Sequence, residues 1–143
     1  MRKADISRKT GETDIHVSLN LDGTGQSGID TGVGFLNHML CSFARHGRFD
    51  LTVNAVGDIE VDYHHTTEDV GIVLGEAFLK TLADKRGIKR FGSAMIPMDE
   101  ALSLVALDFS GREYTVFHAD FKTDKVGDFD TELVEEFFRG FAR

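Results

Sequence analysis

His64-His65-Thr66-Thr67-Glu68-Asp69 puts two imidazoles and two carboxylates into six residues, at the head of a segment with helical apolar spacing. Val70, Val73, Leu74, Ala77, Phe78 and Leu82 recur at i, i+3, i+4, i+7 and i+8 and predict an amphipathic helix running on from His64. On such a helix His64 and Glu68 are i,i+4 neighbours on one face, while His65 points roughly 100° away toward a different partner. One helical end therefore has the donors to feed two metal ions. Gly71 and Gly75 add a strip of small residues suited to close packing. Taken alone, the motif also fits a polar helix end whose histidines cap the helix or pair with acids.

Working outward, the 143 residues are enough for one domain with a real core. The net charge of -8 and pI near 5.1 disfavour a nucleic-acid partner, which needs a basic footprint. An anionic ligand has to be held by a few placed cations. The single cysteine, Cys41, rules out an intrachain disulfide, suits a reducing compartment and reads as a buried helical thiol. No run approaches a membrane span, and the start Met1-Arg2-Lys3-Ala4-Asp5 lacks the apolar core of a signal peptide. The expectation is a soluble cytoplasmic protein with no membrane partner. Fifteen glycines against one proline fit a turn-rich mixed α/β chain.

Residues 13–21 alternate, with Ile15, Val17, Leu19 and Leu21 on one face, and predict a half-buried strand. A short strand around Ile29 follows, and then Phe35, Leu36, Met39, Leu40 and Phe43 mark a helix ending near Gly47, with His38 off its apolar stripe. Phe49-Leu51-Val53-Ala55 and Ile59-Val61-Tyr63 read as a hairpin turning at Val56-Gly57-Asp58. Residues 101–109 and 112–121 read as strands around a Ser110-Gly111 turn. Asp130-Thr131 then opens a helix carrying Leu133, Phe137, Phe138 and Phe141.

Strand, strand, helix thus occurs twice. Asp30-Thr31 before the first helix matches Asp130-Thr131, and with a two-residue gap His38-Met39-Leu40 lies against Glu136-Phe137-Phe138. The expected division is a first half-domain over 1–87 and an incomplete second half-domain over 88–143. The second unit ends at Arg143 in mid-pattern, read either as a repeat cut short or as a terminal helix that frays.

Several stretches together carry a family resemblance: Gly11-Glu12-Thr13, Leu21-Asp22-Gly23-Thr24-Gly25, Thr31-Gly32-Val33-Gly34-Phe35-Leu36-Asn37-His38-Met39-Leu40, the His64–Asp69 motif, Pro97-Met98-Asp99-Glu100-Ala101, and Ser110-Gly111-Arg112. From about Glu12 onward, in order and spacing, the chain resembles the imidazoleglycerol-phosphate dehydratases. The resemblance implies an α+β fold of duplicated half-domains, each a four-stranded sheet with two helices on one face, the second repeat being incomplete in this chain. It implies a lyase of histidine biosynthesis that dehydrates imidazole glycerol phosphate to imidazole acetol phosphate through a dimanganese-bound imidazolate and a diazafulvene. It also implies trimers assembling into a large octahedral homo-oligomer. The family's second His-His-x-x-Glu helix is absent from this sequence, so the chain alone is expected to be inactive. A disordered tail or a shortened chain is expected at the C-terminus, with Phe137, Phe138 and Phe141 left as an apolar patch.

Carried over by resemblance, His38 and His65 correspond to ligands of one manganese, and His64 and Glu68 to ligands of the other. Glu136 stands where many relatives place a histidine ligand of that second ion, and a carboxylate serves manganese equally well. Glu12 matches the family's mobile acid–base glutamate, and Arg90 and Arg112 match its phosphate-binding arginines. Arginine suits that task because its planar fork donates two parallel hydrogen bonds. His46 and Asp99 are weaker candidates: an imidazole closing a helix often just pairs with the helix dipole, and Asp99 fits a turn. Asn37 replaces the family's aspartate, and Glu113 its proline. Two other readings stand beside this one. The first is another metal-dependent lyase or hydrolase acting on a small phosphorylated substrate; the second is an acidic metal-binding assembly module, which leaves Glu12, Arg90 and Arg112 without a task.

Overall fold

The alternation of Thr13–Asn20 places Ile15, Val17 and Leu19 on one face of a strand, where each is essentially buried, and leaves Asp14 and His16 in water. The computed structural model, which describes residues 1–143, makes this β2 of a four-stranded sheet of order β1-β2-β4-β3. The strands are β1 (Lys3–Lys9), β2 (Thr13–Asn20), β3 (Ser27–Asp30) and β4 (Asp50–Gly57). β2 pairs antiparallel with β4 in a register that sets Ile15 opposite Ala55, Val17 opposite Val53 and Leu19 opposite Leu51, so both strands offer their apolar side chains to the same face. β3 runs parallel to β4, and a parallel neighbour requires a crossover. That crossover is α1 (Gly34–Gly47), which buries Leu36, Leu40 and Ala44.

α2 (His64–Leu82) lies against β1 and β2 and buries Val70, Val73, Leu74 and Ala77. The chain continues through a hairpin of β5 (Phe91–Met98) and β6 (Ala101–Asp108), a minimal pair of β7 (Lys125–Val126) and β8 (Phe129–Asp130), and α3 (Leu133–Ala142). The two-unit reading divides at Gly87, in the turns between α2 and β5. Thr31 and Thr131, matched in sequence, are both buried just ahead of their helices.

α3 is ten residues long, too short to hold helical form by itself. Its stability comes from docking on α2. Gly71 and Gly75 let the helices approach until a Cβ at Gly71 would stand 2.5 Å from the Phe137 carbonyl oxygen, and one at Gly140 2.6 Å from that of Glu68. Aromatic rings bolt the layers together: Phe43 to Phe49 at 4.8 Å, Phe49 to Phe78 at 5.5 Å, and Phe78 to Phe141 at 5.5 Å between centroids.

Five expectations need correction. Residues 58–63 form a turn rather than a strand, because β4 already has β2 and β3 on its two edges and no edge remains for a hairpin partner. Residues 112–121 form no strand, since β6 pairs with β5 across the two-residue Asp99-Glu100 turn. β1, unread in the sequence, completes the sheet. Phe137 and Phe141 pack against the core, so of the expected apolar patch only Phe138 is exposed, and α3 is formed through Ala142. Cys41 is half-buried.

Candidate metal and phosphate site

Asp62 accepts a hydrogen bond from the His64 backbone N–H at 2.9 Å, satisfying one of the free donors at the head of α2. One turn later Glu68 lies on the same face, its carboxylate oxygen 3.2 Å from Nε2 of His64. The glycine-lined approach of α3 brings in Glu136, with an oxygen 3.8 Å from the same Nε2. One imidazole and two carboxylates, all half-buried, thereby have donor atoms within 4.8 Å of one another. A neutral nitrogen with two anionic oxygens is a donor set suited to a hard or borderline divalent ion such as manganese. The separation is what three ligands around one ion require.

His65 points elsewhere, as its position on the helix demands. Its Nδ1 lies 2.7 Å from Oδ2 of Asp58, which leaves Nε2 as the outward donor. A carboxylate behind one ring nitrogen is the usual support for an imidazole that binds metal with the other. That hydrogen bond, helped by the charges of Asp58 and, farther off, Glu12 and Asp62, raises the pKa of His65 above its ordinary value. His38 is exposed on α1, and neither it nor His65 belongs to a three-donor cluster. His46 is exposed in the last turn of α1.

Glu12 sits at the β1–β2 turn, accepting from the Thr10 hydroxyl at 3.2 Å and otherwise exposed. The turn is tied to the head of α2 by the Thr13 hydroxyl, which donates to Asp69 at 2.5 Å. This link explains how a carboxylate so early in the chain comes to act on His65. The unexpected Asn37 is explained too: its side-chain oxygen accepts from the backbone N–H of Thr31 at 2.9 Å and from its hydroxyl at 2.5 Å, a task needing only an acceptor.

Arg90 pairs with the carboxylate of Asp108, and Arg112 lies in the turn that follows β6. Arg90 donates to Asp108 from Nε at 2.7 Å and from Nη2 at 3.4 Å. That pairing, with weaker help from the charges of Arg112 and Lys85, holds the Asp108 carboxyl below its ordinary range. Arg112 follows Gly111, whose φ of +83° disfavours any residue with a side chain in the turn. The charges of Arg90, Arg112 and Lys85 all act to lower the pKa of Asp108. Asp99 occupies the β5–β6 turn with a φ of +51°. Reading the sequence missed Asp58, Asp108 and Lys85, because each matters through a partner distant in the chain or across a strand register.

An α+β fold with an imidazole–carboxylate cluster at a helix head, and an arginine-bearing hairpin apart from it, has the layout of an enzyme site. The profile of the imidazoleglycerol-phosphate dehydratase family matches residues 31–143. The imidazoleglycerol-phosphate dehydratase of Acetivibrio thermocellus is 62% identical over 141 residues, which is 99% of this chain and 72% of that protein. That of Gluconacetobacter diazotrophicus is 60% identical over 141 residues, covering 99% and 71%. The crystal structure of the Staphylococcus aureus enzyme superposes with a TM-score of 0.86 at 45% identity, over 98% of this chain and 77% of that one. The Pyrococcus furiosus structure, in complex with (S)-C348, gives 0.79 at 37% identity, over 96% and 72%. The chain belongs to the imidazoleglycerol-phosphate dehydratase family.

Proposed function

We propose that this protein dehydrates imidazole glycerol phosphate to imidazole acetol phosphate, a step of histidine biosynthesis, as a manganese-dependent lyase. The observation that carries the reading is the convergence of His64, Glu68 and Glu136 within 4.8 Å, in a member of this family. His64, Glu68 and Glu136 would hold one ion, and His38 and His65 would serve the other. Ions held there would supply Lewis acidity toward the substrate's imidazole ring. The chain's own residues do the rest. Asp58 fixes the ring of His65 through Nδ1. Arg90 and Arg112 anchor the phosphate and orient the glycerol side chain. Glu12, exposed on its turn, takes and returns the protons of dehydration and ketonisation.

The family resemblance also carries a cytoplasmic homo-oligomer built from trimers. Its support on this chain is the hairpin β5–β6, where Phe91, Met95, Ile96, Leu102, Leu104 and Leu107 are all exposed. Two measurements test the reading. Manganese binding followed by calorimetry should be lost in Glu68→Ala, and the manganese-loaded protein carrying the family's second His-His-x-x-Glu helix should turn over imidazole glycerol phosphate. Metal binding without turnover of that substrate, alongside turnover of another phosphorylated one, would return the assignment to a different metal-dependent lyase or hydrolase.

A further inference from the structure

We propose that Asp108 is a positioning residue for the phosphate site, holding Arg90 by one edge of its guanidinium so that the other edge is presented to the substrate's phosphate. The proposal rests on the reading of Arg90 as a phosphate anchor. A guanidinium has five N–H donors arranged along two forked edges. Asp108 takes the side-on edge, through Nε at 2.7 Å and Nη2 at 3.4 Å. The end-on edge, Nη1 with the second hydrogen of Nη2, is uncommitted, and the Arg90 side chain is 54% exposed. Phosphate oxygens can be bound bidentately by that edge while the carboxylate keeps the other.

The backbone explains why Asp108 reaches this place. Asp108 ends β6 directly opposite Phe91 of β5, and Phe109 donates its N–H to the carbonyl of Arg90 at 3.1 Å. The two side chains therefore leave the same end of the same hairpin. The guanidinium carbon of Arg90 also lies 5.1 Å from the centre of the Phe91 ring, which steadies the guanidinium. An exposed arginine would otherwise sample many rotamers, and ordering it would weaken binding. Asp108 removes that cost before the phosphate arrives. Its single negative charge does not cancel the site, since Arg112 and Lys85 act on the same carboxylate.

The test is a double-mutant cycle on the manganese-loaded protein carrying the family's second His-His-x-x-Glu helix, with Arg90→Gln, Asp108→Asn and the double variant. The readouts are KM and kcat for imidazole glycerol phosphate and the inhibition constants of inorganic phosphate and imidazole. Asp108→Asn is expected to raise KM and the phosphate inhibition constant about tenfold, with a much smaller change in kcat and none in the imidazole constant. Combined with Arg90→Gln it should add almost nothing, because it acts through Arg90. Asp108→Glu, which keeps a carboxylate, should recover part of the loss and serves as the folded control if the asparagine variant misfolds. Wild-type phosphate affinity in Asp108→Asn beside weakened affinity in Arg90→Gln overturns the positioning role and leaves the anchor standing. Losses that multiply in the double variant also overturn it. Unchanged phosphate affinity in Arg90→Gln overturns the anchor itself.

Discussion

Nε2 of His64, at the first position of α2, and a carboxylate oxygen of Glu136, on α3, lie 3.8 Å apart. Their meeting depends on two helices docking, not on a local motif. If the site binds manganese, Glu136 is a ligand and its identity can be exchanged but not deleted. Glu136→His should keep metal affinity within about tenfold, since imidazole also suits such ions, whereas Glu136→Ala should lower it 10- to 100-fold or more. Calorimetric titration with manganese separates the cases. Wild-type affinity in the alanine variant would make Glu136 a solvated surface acid.

The same docking predicts an effect from a residue with no donor atom. A Cβ at Gly71 would stand 2.5 Å from the carbonyl oxygen of Phe137, and this contact is backbone, so α3 has to shift. Gly71→Ala should destabilise the protein by about 1–3 kcal/mol by overpacking, despite alanine's better helix propensity. Because Glu136 rides on α3, manganese affinity should fall as well. Urea denaturation and metal titration of the same variant check both; a stabilised variant with unchanged affinity would contradict the packing.

Asn37 offers a substitution pair with opposite outcomes. Its oxygen satisfies both the N–H and the hydroxyl of Thr31, a residue only 1% exposed. Asn37→Ala leaves the Thr31 N–H unpaired in the interior, while the hydroxyl keeps the Val33 carbonyl at 3.3 Å, and should cost about 1–3 kcal/mol. Asn37→Asp retains the acceptor and should be close to neutral. Chemical denaturation midpoints compared with a common slope measure the difference.

How much of this was legible in the sequence follows from what each element depends on. Strand β2 and helices α1 and α2 were readable because their own periodicity sets their buried face. β1 was not, since as an edge strand it contributes only Ala4 and Ile6 to the interior. The false strand at 58–63 alternates as well as a true one; what it lacks is a free sheet edge, a property of the other strands. β5 was not read either; it carries Pro97 near its end, where an edge strand tolerates proline. In the site, the pairing of His64 with Glu68 follows from helical spacing alone. The arrival of Glu136 was visible through the internal repeat and the family resemblance, not through local spacing. Asp58 was read as a turn residue, so its support of His65 appeared only with the fold, and the Arg90–Asp108 pair needed the β5–β6 register.

The acid limb of stability should report one further pair. Asp22 accepts from the Arg2 backbone N–H at 2.7 Å and from Nε and Nη2 of its guanidinium at 3.2 and 2.8 Å. The side-chain hydrogen bond with Arg2 is the main reason its pKa is lowered to about 2 from the ordinary 3.8. The folded state therefore binds this proton less readily than the unfolded chain. The pair's contribution is present above the unfolded value of 3.8 and disappears as pH falls through about 2. Both side chains are well solvated, at 38% and 50% exposure, so the effect should be small and should shrink in concentrated salt. Urea midpoints measured from about pH 5 down to pH 2 at low ionic strength should fall less steeply in Asp22→Asn than in the wild type. Parallel decline of the two proteins would show that the Arg2–Asp22 contact contributes nothing to the folded state.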